Sequence, residues 1–289
     1  MINETIINTV AVTGTSFWTD LIKALLTPTS LIIALLVFRT PIDKFFKNLK
    51  TWITLRKLSK KYNRHIIMLK HGSVGIFSDM IAGGTLTGFI SAFSKIKQGD
   101  IDLIITSGGG AVFHSMRIAK MLSNYSKGKI RAIIPNYAMS GASMLTLACD
   151  EIIIDKNACL GVIDPQLGTF FETHSSRAWE EIVKHKGKKA QDKSVANAFS
   201  GKQVTKTIRN IIKELIKDKI HPQKIERFLD LLVKGNVEHS YQLDYSILKE
   251  NGLPVTLLED RLYKRILLCN NYKEVICYSK DYSLGGAFR

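Results

Sequence analysis

The sequence predicts an α/β protein with parallel strand pairing, and three observations carry that reading. From His65 onward, short β-type runs alternate with helix-like runs, the order that builds successive β-α units. Two of those β-type runs end in small residues, Ser107-Gly108-Gly109-Gly110 and Met139-Ser140-Gly141-Ala142. Such turns fall at the carboxyl ends of strands, where α/β proteins build their sites. A chain of 289 residues, 45% hydrophobic, also suffices to bury the core of one large domain or two small ones.

Residues 1–18 form a short N-terminal segment. Next comes LIKALLTPTSLIIALLVF, Leu21 to Phe38, about long enough to cross a bilayer if it tilts or if Lys23 snorkels, with Pro28 as a kink. A transmembrane or membrane-anchoring helix is therefore expected over 19–38, with a hydrophobic docking helix in an oligomer as the alternative. Basic residues follow this stretch instead of preceding it, unlike a secretory signal peptide. By the positive-inside rule, the chain is expected to be a single-pass membrane protein with its large domain in the cytoplasm. The formal charge of +16 is concentrated here: Arg39, Lys44, Lys47, Lys50, Arg56, Lys57, Lys60, Lys61, Arg64 and Lys70 stand against Asp43 alone. Charge beside an apolar segment points to membrane lipids before nucleic acid, which is not an expected partner. Residues 39–62 read as a basic amphipathic helix with Phe45, Phe46, Leu49, Trp52, Ile53 and Leu55 on its apolar side, lying along the membrane or leading into the domain.

The domain proper is expected over 63–289. HIIMLKH, IDLIITS, IRAIIPN and EIIID read as strands. Between them come a glycine-containing stretch to Lys97, a helical run from Val112 to Tyr125, and a helix opened by Ser140. Residues 176–235 read as almost wholly helical, and the tail from Tyr241 adds a capped helix, a Gly-Leu-Pro-Val turn and a last helix. Cys149, Cys159, Cys269 and Cys277 form no CxxC pair and have no histidine at zinc spacing, so they read as core residues of a reduced compartment. No metal site and no cofactor are expected.

The chemistry concentrates at the strand-to-helix junction around Ser140. A hydroxyl at a helix N-terminus, with the next backbone N–H groups aimed at the same spot, suits nucleophilic attack on a carbonyl and hence acyl transfer. The plain alternative is that Ser140 only caps its helix. Gly109 and Gly110 allow the backbone conformations that an oxyanion-binding turn requires, although a structural turn would use glycine equally well.

Segment 102–166 resembles the serine dehydrogenase proteinase (SDH) family, relatives of signal peptide peptidase A in the Clp/crotonase superfamily. The blocks DLIITSGGG, YAMSGASMLTLACDEIIID and LGVIDPQ carry the similarity, with a weaker match in GNVEHSYQLDYSILKENGLPV. The resemblance implies a Clp/crotonase-like α/β fold of stacked β-α units, preceded by the transmembrane helix and followed by a mostly helical C-terminal part. It implies Ser140 as nucleophile and an oxyanion hole from Gly109, Gly110 and Gly141. Clp-type peptidases place their histidine in the segment that here reads Ile-Asp-Pro-Gln, and no histidine lies between Ser140 and His174. Signal peptide peptidase A and its relatives use a lysine, which serves as a base only when burial lowers its pKa. Lys202, in FSGKQVTKTI, matches a lysine that opens the corresponding helix. Its rivals Lys184, Lys186, Lys188, Lys189 and Lys193 lie in a polar stretch that reads as solvated. Asp164 and His239 are possible supporting residues, each with an equally plain structural role. Ser143 falls inside the helix, and His114 is expected on the exposed side of its own. In one respect the chain departs from the family: Gly108 stands where the family has proline before the paired glycines, which would loosen the turn.

The function so implied is a membrane-anchored, ATP-independent serine peptidase of Ser/Lys type, an oligomer of identical chains acting on peptides or membrane-protein fragments. The alternative is a non-catalytic membrane-associated scaffold that retains the fold. A crotonase-like enzyme of acyl thioesters is disfavoured by the Tyr-Ala-Met-Ser block.

Overall fold

The computed structural model describes residues 46, 49–71, 80–169, 172–266 and 275–280. The chain divides into two compact units, 1–49 and 50–289, of which the second holds the sheet. Its strands, in chain order, are β1 (His65–Lys70), β2 (Ile101–Thr106), β3 (Ile130–Ile134), β5 (Glu151–Ile154), β10 (Val255–Leu257) and β11 (Val275–Tyr278). In space they run β10-β5-β3-β2-β1-β11. All neighbours are parallel except β11, which closes the β1 edge in antiparallel fashion. Every residue of β2 is buried, as expected of an inner parallel strand covered on both faces.

The two-residue period of the strands sorts their side chains into two layers. Ile67, Leu69, Leu103, Ile105, Ala132 and Ile134 point into the main core beneath α2 (Gly83–Ser94), α3 (Val112–Ser123) and α4 (Gly141–Leu147). Ile66, Met68, Ile104 and Ile133 point the other way, toward Leu55, Leu58 and Tyr263. A second, smaller sheet stacks β4 (Tyr137–Ala138), β6 (Cys159–Gly161) and β9 (Gln242–Leu243) in the order β4-β6-β9, and β7 (Gln166–Thr169) pairs with β8 (Glu172–Ser175) as a hairpin.

The helical C-terminal part is present as expected. It comprises α5 (Ser176–Lys186), α6 (Asp192–Ile216) and α7 (Pro222–Val233), then the short α8 (Tyr245–Glu250) and α9 (Arg261–Arg265). Local signals set their starts: Ser175 Oγ accepts from Ala178 N–H, Asp244 from Ile247 N–H, and Pro222 opens α7. Along α6, Ile208, Ile212 and Ile216 recur every fourth residue and form its buried stripe.

One expectation is corrected. Among the described residues no helix is long and apolar enough to cross a membrane, so the single-pass membrane placement is not upheld. The stretch 21–38 on which it rested lies outside the described residues. The helix over 49–62 (α1) leads into the domain, the second of the two readings, and buries only part of the apolar side expected for it. Thr51, Leu55, Leu58 and Ser59 are buried, Leu55 and Leu58 against the sheet, while Ile53 is 41% exposed. It is a covering helix of the second layer, and its basic residues are the solvated side of a packed element.

At the amino ends of the strands one buried carboxylate gathers four chain segments. Asp102, 0% exposed, meets Arg64 Nε at 2.6 Å and receives Arg131 Nε and Nη2 at 2.8 and 2.9 Å. The Tyr263 hydroxyl donates to it as well, and burial with this carboxylate pushes the phenol's pKa far up. Arg64 also donates to the carbonyls of Ile101 and Lys129. Removing the carboxylate would leave two guanidinium groups without their shared partner. Asp102→Ala is expected to lower stability by about 3–5 kcal/mol, read from urea unfolding followed by circular dichroism.

Candidate active site

The turn after β3 carries Ser140. The chain leaves the sheet at Pro135, makes β4, and enters α4 through Ser140 at φ 49°, ψ −119°. A β-carbon makes that region costly, by about 1–3 kcal/mol for such outliers, and it persists only where the surroundings enforce it. Here α4 is buried along its whole length, from Gly141 to Leu147, so the helix cannot shift to relieve the turn. At its other end Lys219 Nζ donates to the carbonyls of Leu147 and Cys149 at 2.6 and 2.7 Å, a cation at a helix C-terminus. Burial lowers the pKa of that ammonium below the ordinary lysine value. Ser140 occupies the N-cap position, yet its side chain caps nothing and makes no hydrogen bond among the described residues. The capping alternative is therefore not what the hydroxyl does.

The glycine turn after β2 lies against this one. A β-carbon on Gly109, at φ +100°, would stand 2.7 Å from the Met139 carbonyl oxygen, 2.8 Å from Ser140 Cβ and 2.9 Å from Gly141 N. One on Gly141 would stand 2.2 Å from Ser115 Oγ and 3.5 Å from Gly110 N. Ser107 links the two turns: its N–H donates to the Tyr137 carbonyl at 3.2 Å, and its carbonyl accepts from Met139 N–H at 2.9 Å. Gly109 N–H donates to Ser107 Oγ at 3.1 Å. The N–H groups of Gly110 and Gly141 have no acceptor among the described residues. Two amide donors are thus left uncommitted beside a strained serine.

The third piece comes from the small sheet. Asp164, 3% exposed, lies just beyond β6, and His239 just before β9. The β6–β9 register, Leu160↔Leu243 and Gly161↔Gln242, extended three residues past Gly161, sets Asp164 opposite His239. Asp164 Oδ1 and His239 Nδ1 are 2.6 Å apart, and Gln166 Nε2 donates to Asp164 Oδ2 at 2.8 Å. Because β6 also pairs with β4, this carboxylate–imidazole pair sits on the same sheet that leads into Ser140. The His239 side chain is 39% exposed.

The remaining candidates fall elsewhere. Lys202 is exposed on α6, and no hydrogen bond or ion pair among the described residues joins it to the two turns. Lys184, Lys186, Lys188, Lys189 and Lys193 are exposed, and Lys193 pairs with Glu172 at 2.9 Å. Ser143 is buried, with Oγ 2.6 and 2.7 Å from the Ala138 and Gly161 carbonyls while accepting Gly161 N–H at 3.0 Å, so it ties β4 to β6. His114 is half-buried, with Nδ1 enclosed, and not on an exposed face as expected. Burial pushes the Cys149 thiol up to about 12, which leaves it inert as a nucleophile. Among the described residues no group of three or more His, Cys, Asp or Glu is placed to hold a metal. The sequence reading gave Asp164 and His239 only supporting roles, because 75 residues separate them and only the sheet register brings them together. It gave the side chains of His71 and Ser107 no role of their own.

A strained, uncapped serine facing two free amides on a parallel α/β sheet defines a serine hydrolase. The family model of the ClpP-like SDH-type serine proteinases matches residues 19–274, and the chain belongs to that family: it is a serine protease. The uncharacterised protein MJ0137 of Methanocaldococcus jannaschii is 35% identical over 211 residues, 70% of this chain and 71% of that protein. MJ1495 of the same organism is 39% identical over 155 residues, 54% of this chain and 51% of that one. Among solved structures, ClpP1 from Listeria monocytogenes aligns with a TM-score of 0.44 at 14% identity, covering 68% of this chain and 92% of its own. A mutant of the 1510-N membrane-bound stomatin-specific protease aligns with a TM-score of 0.42 at 14% identity, covering 63% and 76%.

The strained turn has a measurable signature. Glycine adopts positive φ freely, so Ser140→Gly is expected to gain about 1 kcal/mol of stability over Ser140→Ala, compared by urea titration.

Proposed function

We propose that this chain hydrolyses peptide bonds with Ser140 as nucleophile, His239 as general base, Asp164 as the group that orients the base, and the N–H groups of Gly110 and Gly141 as the oxyanion hole. The observation that carries the reading is Ser140 itself, held at positive φ with a hydroxyl that serves no cap. With Nδ1–H turned to Asp164, His239 presents Nε2 as the proton acceptor. Ser140 Oγ attacks the carbonyl carbon and its proton passes to Nε2. The carbonyl oxygen takes up the negative charge, and the two amides receive it. Collapse of the tetrahedral species breaks the C–N bond, and the leaving amine takes the proton from the imidazolium. Water repeats the sequence on the acyl-enzyme and frees the serine. Gly109 contributes conformation to the hole, since its own N–H is committed to Ser107. The chain order serine, aspartate, histidine is one of the orders in which such triads occur.

Lys202 is the rival base, favoured by a side chain that makes no ion pair among the described residues. A lysine accepts a proton when water is stripped from it, and Lys202 is exposed, so that role would need a substrate or a second copy of the chain to cover it. Peptides as substrates, hydrolysis without a nucleotide and assembly into a homo-oligomer belong to the same proposal.

Labelling with a fluorophosphonate, read by mass spectrometry, separates the readings. Modification is expected at Ser140 and nowhere else, lost in Ser140→Ala, slowed by about 10⁴-fold in His239→Ala and changed by less than about threefold in Lys202→Ala. Loss in Lys202→Ala with retention in His239→Ala would transfer the role of base to the lysine. A folded wild-type chain that resists labelling would favour the non-catalytic scaffold.

A further inference from the structure

We infer that Ser107, held by His71, is the positioning residue of the oxyanion hole and supplies the rigidity that a proline at position 108 would otherwise give; the inference rests on the hydrolytic reading of Ser140. Ser107 is fully buried, and each of its polar groups serves one of the two turns. Its main chain brackets the approach to Ser140 through Tyr137 and Met139, while its hydroxyl takes the N–H of Gly109. His71, also buried, shares a 2.7 Å hydrogen bond with that hydroxyl through Nδ1, and its own N–H donates to the Thr106 carbonyl at 3.0 Å. The main chain of His71 is therefore held to β2, and its imidazole in turn fixes the Ser107 rotamer.

The consequence lies in which amide faces the serine. Three consecutive glycines have wide conformational freedom, enough for either Gly109 or Gly110 to swing its N–H toward a developing charge. Locking Gly109 N–H onto Ser107 Oγ leaves Gly110 as the donor beside Gly141. Donors fixed before the reaction need no reorganisation during it, and a small misplacement is costly. A proline at 108 would restrict the same turn through its ring. Position 108 accepts one: Gly108 is exposed, is not among the glycines with positive φ, and its N–H meets no acceptor among the described residues. Ser107, in a β-bridge with Ala138, has the extended backbone favoured before proline.

The test compares wild type, Ser107→Ala, Ser107→Thr and Ser107→Ala/Gly108→Pro in two measurements: the rate of fluorophosphonate labelling at Ser140, and amide hydrogen exchange at Gly109 resolved by NMR. Ser107→Ala is expected to slow labelling by about 100-fold and to speed Gly109 exchange by about tenfold or more. Ser107→Thr keeps the hydroxyl and is expected to stay near wild type, and Gly108→Pro is expected to restore most of the labelling rate without restoring protection at Gly109. That last separation is one a merely structural serine would not produce. Labelling and exchange both unchanged in Ser107→Ala, or a double variant no better than the single one, would overturn the inference while leaving the nucleophile intact. Faster Gly109 exchange in Ser107→Ala with no labelling even of wild type would uphold the positioning of the turn and sink the hydrolytic reading instead.

Discussion

The structure depends on one close approach. The backbones of Gly109 and of the Met139–Gly141 turn pass so near each other that no β-carbon fits between them. Everything that makes a site here follows from bringing the ends of β2 and β3 into that contact: the strain at Ser140, the shared corner of Gly110 and Gly141, and the link through Ser107. Parallel pairing places the two strand ends side by side, and the β2–β3 register keeps them level. A slip of one residue would turn every side chain of β3 to the opposite layer and carry the serine out of reach.

The opposite ends of the same strands explain why that register holds. Asp102 is paired with the Arg131 side chain across one neighbouring strand, at the very position where their Cα atoms are partners, and with Arg64 just ahead of the other. A buried carboxylate with two guanidinium groups tolerates little displacement, because any shift leaves charge unpaired in a medium of low polarity. The sheet is thus pinned by charge at its amino ends, while its carboxyl ends carry the two uncommitted backbone amides of Gly110 and Gly141.

How much of this was legible in the sequence depended on distance along the chain. IDLIITS, IRAIIPN and EIIID announced the inner strands because continuous burial leaves an apolar run, and Ser140 with its glycines announced the turn because local backbone demands leave local residues. The two-residue strands β4 and β9 are too short to show a period, and without them nothing in the sequence sets His239 beside Asp164. The same limit hid His71, whose partner lies 36 residues away. Composition left two readings open at the start of the domain. A basic helix with apolar residues looks alike whether its apolar face meets lipid or a sheet, and only packing shows that Leu55 and Leu58 face the strands.

The antiparallel strand β11 covers the outer edge of β1, and α2 is fitted closely over it where Gly88 meets Val275. Without that last ribbon, β1 would present a row of unpaired backbone groups flanked by Ile66, Ile67, Met68 and Leu69, a template for any other extended segment. Clipping the tail would therefore threaten solubility before it touched catalysis, with filaments grown edge to edge as the product.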